Sequence, residues 1–188
     1  MGISENMFKV RKAAQVAAYF AMAEGGSIKV LKLVKLIYLA DREFLERYDA
    51  TILNDRFVSM NHGPVNSTTY DYIKGCEEDR DNWEEFIDDR TEHRVGLARE
   101  NISEDDLGEL SDAELAVLAD VWRQFGHMDG FEIRDWTHDN CPEWEDPNGS
   151  SQSIPFARVL SYLGKSNVRE LAAGIEAERT LDRLFASD

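Results

Sequence analysis

Residues 28–48, IKVLKLVKLIYLADREFLERY, constrain the fold more than any other part of this chain. Placed on a helix at about 100° per residue, their apolar side chains share one broad arc. The members of that arc are Val30, Leu31, Leu33, Val34, Ile37, Tyr38, Ala40, Phe44, Leu45 and Tyr48. An arc this wide predicts a central helix that neighbouring segments cover over most of its circumference.

Asp41 lies in the middle of this apolar arc. A carboxylate at such a position needs hydrogen-bond donors, because burying an unpaired charge is costly. Two interpretations follow: a hydrogen-bonded structural aspartate or a functional carboxylate. His62 and His138 are both candidates for the donor that Asp41 requires.

Leu36 and Leu39 fall on the otherwise charged side of the same helix, beside Lys32, Lys35 and Arg42. These five residues form a candidate contact patch for a partner. The alternative is a helix buried on all sides, with Leu36 and Leu39 packed by a neighbouring segment, since an apolar residue on a central helix is commonly part of the core.

The rest of the chain predicts a mainly α fold with a small antiparallel β element, an α+β protein forming one domain over residues 1–188. FVSM at 57–60 and HRVGLARE at 93–100 have strand-like patterns, and we expect them to pair with each other. Gly63-Pro64 predicts a rigid bend. Further helices are expected over 5–23 and 67–75. A capping box of Ser111 and Glu114 predicts the start of another helix, and Asp129 is expected to cap a helix over 130–137. Two C-terminal helices within 154–186 are expected to pack on the rest of the domain.

Charge limits the function. The chain carries 37 Asp and Glu against 21 Lys and Arg, a net charge of −16, and residues 77–120 alone contribute −13. Such a surface repels nucleic acid, so we expect no binding of DNA or RNA on electrostatic grounds. The acidic stretch is a solvated face, a surface complementary to a basic protein, or, as a third alternative, a mimic of a phosphate array.

Location is constrained by what the sequence lacks. It has no apolar run of about 18 residues and no secretory signal at the N-terminus, so we expect no membrane association. Cys76 and Cys141 are far apart, which suits a reducing cytoplasm better than a disulfide scaffold. We expect a cytoplasmic protein.

Residues able to do chemistry are present without a recognisable arrangement. The four histidines are His62, His93, His127 and His138, and His138-x-x-Cys141 has a spacing that could offer two metal ligands. Zinc sites usually show a second spaced pair, and none occurs here. We therefore predict no catalytic residue and no cofactor, with a metal- or Cys/His-dependent hydrolase using His62, His138, Asp41 and Cys141 as the alternative from another class.

Several motifs follow one another in a characteristic order. They are Lys32-Leu33-Val34-Lys35-Leu36-Ile37-Tyr38-Leu39-Ala40-Asp41, Phe57 to Met60, His62-Gly63-Pro64-Val65, Tyr70, Thr137-His138 and Trp144. With these motifs the chain resembles the Panacea domain, also called the SocA-like antitoxin domain, over about residues 8–145. The resemblance implies polar or structural roles for Tyr38, Asp41, His62, Gly63, Pro64, Tyr70, Thr137, His138 and Trp144.

The resemblance also implies a function. Members of this family look like antitoxins that bind and neutralise a protein toxin encoded by an adjacent gene. One branch is associated with delivery of the toxin to the ClpXP protease, so a proteolytic adaptor is a further alternative. Neither role requires catalysis by this chain.

Overall fold

A computed structural model describes residues 8–185 of the chain as helices around one central helix, with two small antiparallel sheets. The helices in that range are α1 (Val10–Ala23), α2 (Val30–Tyr48), α3 (Ser67–Lys74), α4 (Asp81–Glu84), α5 (Asp112–Phe125), α6 (Gly130–Asn140), α7 (Phe156–Tyr162) and α8 (Val168–Phe185), with a 3₁₀ turn at Glu104–Asp106. The strands are β1 (Ser27–Lys29), β2 (Phe57–Met60), β3 (Gly63–Asn66), β4 (Ile87–Arg90), β5 (Arg94–Leu97) and β6 (Gln152–Ile154). The predicted α+β class is confirmed.

The central helix is α2, as its apolar arc predicts. It contacts α1, α5, α6, α7, β1 and β3, and every residue from Lys32 to Asp41 is buried. Helix α1 adds a face of five buried alanines, which permits a close approach to its neighbours: Ala13, Ala14, Ala17, Ala18 and Ala21. The first residues of the predicted helix, 5–7, lie outside the described range.

The predicted pairing of the two strand-like segments is wrong. Strand β2 pairs with β3 on one side and with β6 on the other, in the order β3-β2-β6. Strand β5 lies instead between β1 and β4. Each segment pairs with the strand that a tight turn brings back beside it, and a three-residue strand from a distant part of the chain covers the other edge.

Two helix starts follow their sequence signals. The Ser111 hydroxyl accepts a hydrogen bond from the amide of Glu114, and the Glu114 carboxylate accepts one from the amide of Ser111. The Asp129 carboxylate likewise accepts bonds from the amides of Phe131 and Glu132. These side chains satisfy N–H groups that have no partner within their own helix, so both predicted caps are confirmed.

The C-terminal helices form a layer beside the core. Helix α7 contacts α2, and α8 contacts α7. The ring of Phe156 lies 5.1 Å from that of Phe57, and Ile175 of α8 is buried. Residue 186 of the predicted C-terminal helix lies outside the described range. No helix among the described residues is long and apolar enough to cross a membrane.

Candidate partner-binding groove

The five residues of the predicted contact patch do not form a patch on the surface. Leu36 and Leu39 belong to the core, and Lys32 and Lys35 are 6% and 1% exposed. The ammonium group of Lys32 bonds to the Glu24 carboxylate at 2.6 Å and to the carbonyl of Gly126 at 2.7 Å. The structure thus shows that α2 is buried from Lys32 to Asp41, with α5 and α6 packed against it, and this burial includes the two lysines.

Asp41 is fully buried and hydrogen-bonded, but not by a histidine. Its carboxylate accepts bonds from the amide of Ile52 at 2.5 Å and from the side-chain amide of Asn66 at 2.7 Å. Burial raises the pKa of this carboxyl to about 7, although both hydrogen bonds act in the opposite direction. The expectation that His62 or His138 supplies the donor is wrong.

A second buried polar cluster joins α2 to the segment after α6. Glu143 is fully buried, accepting a hydrogen bond from the Tyr38 hydroxyl at 2.5 Å and pairing with the guanidinium of Arg42 at 2.6 Å. Sequence reasoning missed Glu143, because nothing local separates it from the other 36 acidic residues. The only signal is its place next to Trp144, inside the motif region.

Gly63 is required by its backbone conformation and by its neighbours. Its φ is +95°, and a methyl group added there would lie 2.9 Å from the Thr137 hydroxyl and 3.0 Å from the Lys35 ammonium. The next residue, Pro64, accepts a hydrogen bond from that ammonium at 2.8 Å through its carbonyl. Two motifs that are far apart in the sequence, His-Gly-Pro-Val and Thr-His, are therefore in contact through Gly63 and Thr137.

Trp144 also connects the region of the β2–β3 turn to α6. Its indole N–H donates to the carbonyl of Met60 at 2.9 Å, and its ring stacks on His138 with centroids 4.0 Å apart. Burial lowers the pKa of His138, and the charge of Lys35 adds to this effect. His138 therefore supports the position of Trp144 by ring stacking, and its burial favours the uncharged imidazole.

The residues of the hydrolase alternative lie in different environments. His62 is exposed in the turn between β2 and β3, whereas Cys141 is buried, and burial raises the pKa of its thiol to about 12. Within residues 8–185 as described, no hydrogen bond or ion pair joins His62, Asp41, His138 or Cys141 to one another. The same range contains no group of three or more His, Cys, Asp or Glu residues placed to hold a metal ion.

A groove of about 1020 Å³ opens on the side of the N-terminal half of α2. It is bordered by α2, the β2–β3 turn, α3, the β4–β5 hairpin, the start of α6 and the loop at 149–151. Its apolar lining consists of Val30, Leu31, Val34, Met60, Val65, Tyr70, Ile73, Val95 and Phe131. Phe131 is 59% exposed, so its ring is accessible at the edge of the groove.

The charge of this groove is opposite to that of the whole protein. Four cations line it, Lys35, Lys74, Arg90 and Arg94, together with His62 and His93, against one carboxylate, Asp89. A concave, mostly apolar lining with a few charged groups is the usual form of a binding site. Of the predicted patch, Lys35 alone borders the groove, and of the nine motif residues with implied polar or structural roles, His62 and Tyr70 do so.

Fold and groove together define an α+β protein, mainly helical, with a concave groove of basic and apolar lining. Residues 33–145 match the family model described as "Antitoxin SocA-like, Panacea domain". This match spans more than half of the chain, which therefore belongs to the SocA-like Panacea antitoxin family. Searches of curated proteins and of solved structures found no match.

Proposed function

We propose that this protein is an antitoxin that binds a protein toxin, encoded by a neighbouring gene, and neutralises it by occupying it rather than by catalysis. The observation that carries the proposal is the family match over residues 33–145. That range contains the larger part of the groove lining and both buried clusters around Asp41 and Glu143.

The physical features of the chain support a binding role. The polar residues of the family motifs are used internally: Tyr38 bonds to Glu143, Asp41 to Asn66, and Trp144 to a main-chain carbonyl. These contacts fix the relative positions of α2, the β2–β3 turn and the segment that follows α6. A rigid binding surface loses less conformational entropy when a partner docks.

Co-expression tests the proposal. The product of the adjacent gene is induced alone and together with this protein, and we expect growth arrest in the first case and rescue with co-purification in the second. A neighbouring product that is harmless on its own, or one that arrests growth equally in both cases, would contradict the proposal.

A titration separates occupancy from enzymatic inactivation. If the toxin is neutralised by binding, its activity falls linearly with added protein and reaches zero near one equivalent. A hydrolase or modifying enzyme would inactivate many equivalents of toxin, and the loss of activity would persist after the two proteins are separated.

The proteolytic adaptor is distinguished by the level of the toxin. Neutralisation by binding leaves the toxin concentration unchanged, and it works equally well in cells that lack ClpXP. A toxin that disappears only when both this protein and ClpXP are present would instead assign the adaptor role.

A further inference from the structure

We infer that the groove between α2, α3 and the β4–β5 hairpin binds an acidic, amphipathic segment of the partner protein. This inference rests on the proposed function and adds to it the site and the chemistry of the segment that is recognised. It also locates binding on a basic surface of a protein whose overall charge is strongly negative.

The first argument is that two exposed or partly exposed groove cations, Arg94 and Lys74, lack a carboxylate partner, whereas Arg90 pairs with Asp88. Arg94 bonds only to the hydroxyl and carbonyl of Ser27, and Lys74 lies over the ring of Tyr70. Neither forms an ion pair with any described residue, although the chain contains 37 acidic residues. Unpaired cations grouped on one surface attract a negatively charged partner and disfavour a positive one.

The second argument is Lys35, which is 1% exposed at the inner wall of the groove. Its ammonium donates to the carbonyl of Pro64 at 2.8 Å, and no other hydrogen-bond partner for it occurs among the described residues. An ammonium group has three donors, so a buried one with a single neutral acceptor is incompletely satisfied. A carboxylate that enters the groove would give this charge the partner it lacks.

The third argument is the apolar lining. Phe131, Leu31 and Tyr70 remain partly or largely exposed along the groove. The three unpaired cations come from separate elements, α2, α3 and β5, and apolar side chains lie between them. This distribution fits a segment that presents both carboxylates and large apolar side chains, rather than a single compact phosphate group.

Site-specific crosslinking tests the location. A photo-reactive phenylalanine analogue replaces Phe131, and in a matched control it replaces Tyr162 of α7, which is 56% exposed and does not line the groove. We expect the analogue at 131, and not at 162, to crosslink to the co-expressed toxin, at a peptide that contains acidic and large apolar residues. Crosslinks equally strong at both positions, or only to a second copy of this chain, would overturn the inference.

Charge reversal tests the chemistry. Lys74→Glu changes an exposed cation in the last turn of α3, and Arg123→Glu makes the same change in the last turn of α5, outside the groove. We expect K74E to raise the dissociation constant at least tenfold and R123E to change it less than twofold. A lysine introduced for one acidic residue of the crosslinked toxin peptide should restore binding to K74E. Thermal denaturation of each variant reports whether it is folded.

The outcomes separate the two proposals. If the wild-type protein neither rescues growth nor binds the neighbouring product, the proposed function fails. If it does both, but K74E and R123E bind equally well, the function stands and the groove inference fails. Loss of the toxin crosslink at position 131 when ATP or inorganic phosphate is added would likewise overturn it, in favour of a small anion.

Discussion

The buried charges of α2 differ in how well the fold pairs them. In the C-terminal half, Asp41 and Arg42 have partners within the chain, Asn66 with the amide of Ile52 for the first and Glu143 for the second. In the N-terminal half, Lys32 pairs with Glu24, but Lys35, beside the groove, has a single carbonyl. The C-terminal half therefore stabilises the fold, whereas the end that borders the groove retains a cation whose electrostatic partner the fold does not supply.

Removal of Glu143 tests the paired charges in the C-terminal half of α2 and should have the largest effect on stability. Glu143→Ala leaves the Tyr38 hydroxyl and the Arg42 guanidinium without their acceptor, and breaking a buried pair costs about 3–5 kcal/mol. Urea denaturation measures the loss. Glu145→Ala is the matched control, because Glu145 is 62% exposed and its ion pair with Arg158 is worth less than about 1 kcal/mol.

Lys35→Met tests the buried ammonium that has a single carbonyl acceptor. Burial lowers the pKa of Lys35 to about 7, so between pH 7 and the unfolded value of 10.5 the unfolded chain holds a proton that the folded chain has released. The wild type should therefore gain about 3 kcal/mol of unfolding free energy between pH 7 and pH 10, and the variant should lose this gain.

An exposed lysine gives the control for Lys35. Lys29 also donates to a single main-chain carbonyl, that of Glu92 at 3.1 Å, so Lys29→Met removes a similar bond without removing a buried charge. Denaturation curves at several pH values give the unfolding free energy of each variant, and its dependence on pH should differ between K35M and K29M. Equal pH dependence in the two variants would mean that Lys35 is adequately solvated where it lies.

Asp41→Asn should produce a pH dependence of the opposite sign. The pKa of Asp41 is raised from 3.8 to about 7, so between these values the folded chain binds the extra proton and the unfolding free energy falls as pH rises. We expect the wild type to lose about 2–3 kcal/mol by this route between pH 4 and pH 7, and the variant to lose much less.

The comparison for Asp41 is Glu46→Gln, on an exposed position of the same helix. In that variant the unfolding free energy should change with pH below 7 as it does in the wild type. If D41N and E46Q have the same slope, the two hydrogen bonds to Asp41 compensate its burial fully, and the carboxylate stays charged in the folded protein.

Gly63→Ala has a smaller expected effect and tests the close approach of the β2–β3 turn to Lys35 and Thr137. Gly63 and Gly149 have φ values of +95° and +93°, but a methyl group at Gly149 has no neighbour within 4 Å. Both alanine variants share the cost of the backbone conformation, so the difference between them isolates crowding against Thr137 and Lys35. We expect G63A to be less stable than G149A by about 1–3 kcal/mol in urea denaturation. Equal losses would show that these side chains move aside easily.

Local patterns made part of this architecture predictable. The apolar arc identified α2 as the centre, and the side chains of Ser111 and Asp129 marked the starts of α5 and α6 because a cap acts within three residues of itself. The predicted end of α6 at 137 was three residues early, since the helix continues to Asn140 without an apolar signal.

Features that depend on distant residues were not predictable in the same way. The partner of Asp41 is 25 residues away, and Glu143 lies 105 residues from Tyr38. Strands β1 and β6 have three residues each, too few to show a period of two. The burial of Lys32 and Lys35 was equally hidden, because a lysine in a helix is expected at the surface until the neighbouring helices are positioned.

Strand β6 has a consequence for how this chain can be shortened. It covers the outer edge of β2, whose other edge is occupied by β3. A chain cut after Glu145 would lose β6 and α7, leaving main-chain N–H and C=O groups of Phe57–Ser59 open beside an uncovered aromatic ring. Open edges of this kind recruit further chains, so the C-terminal segment protects the rest of the fold against self-aggregation.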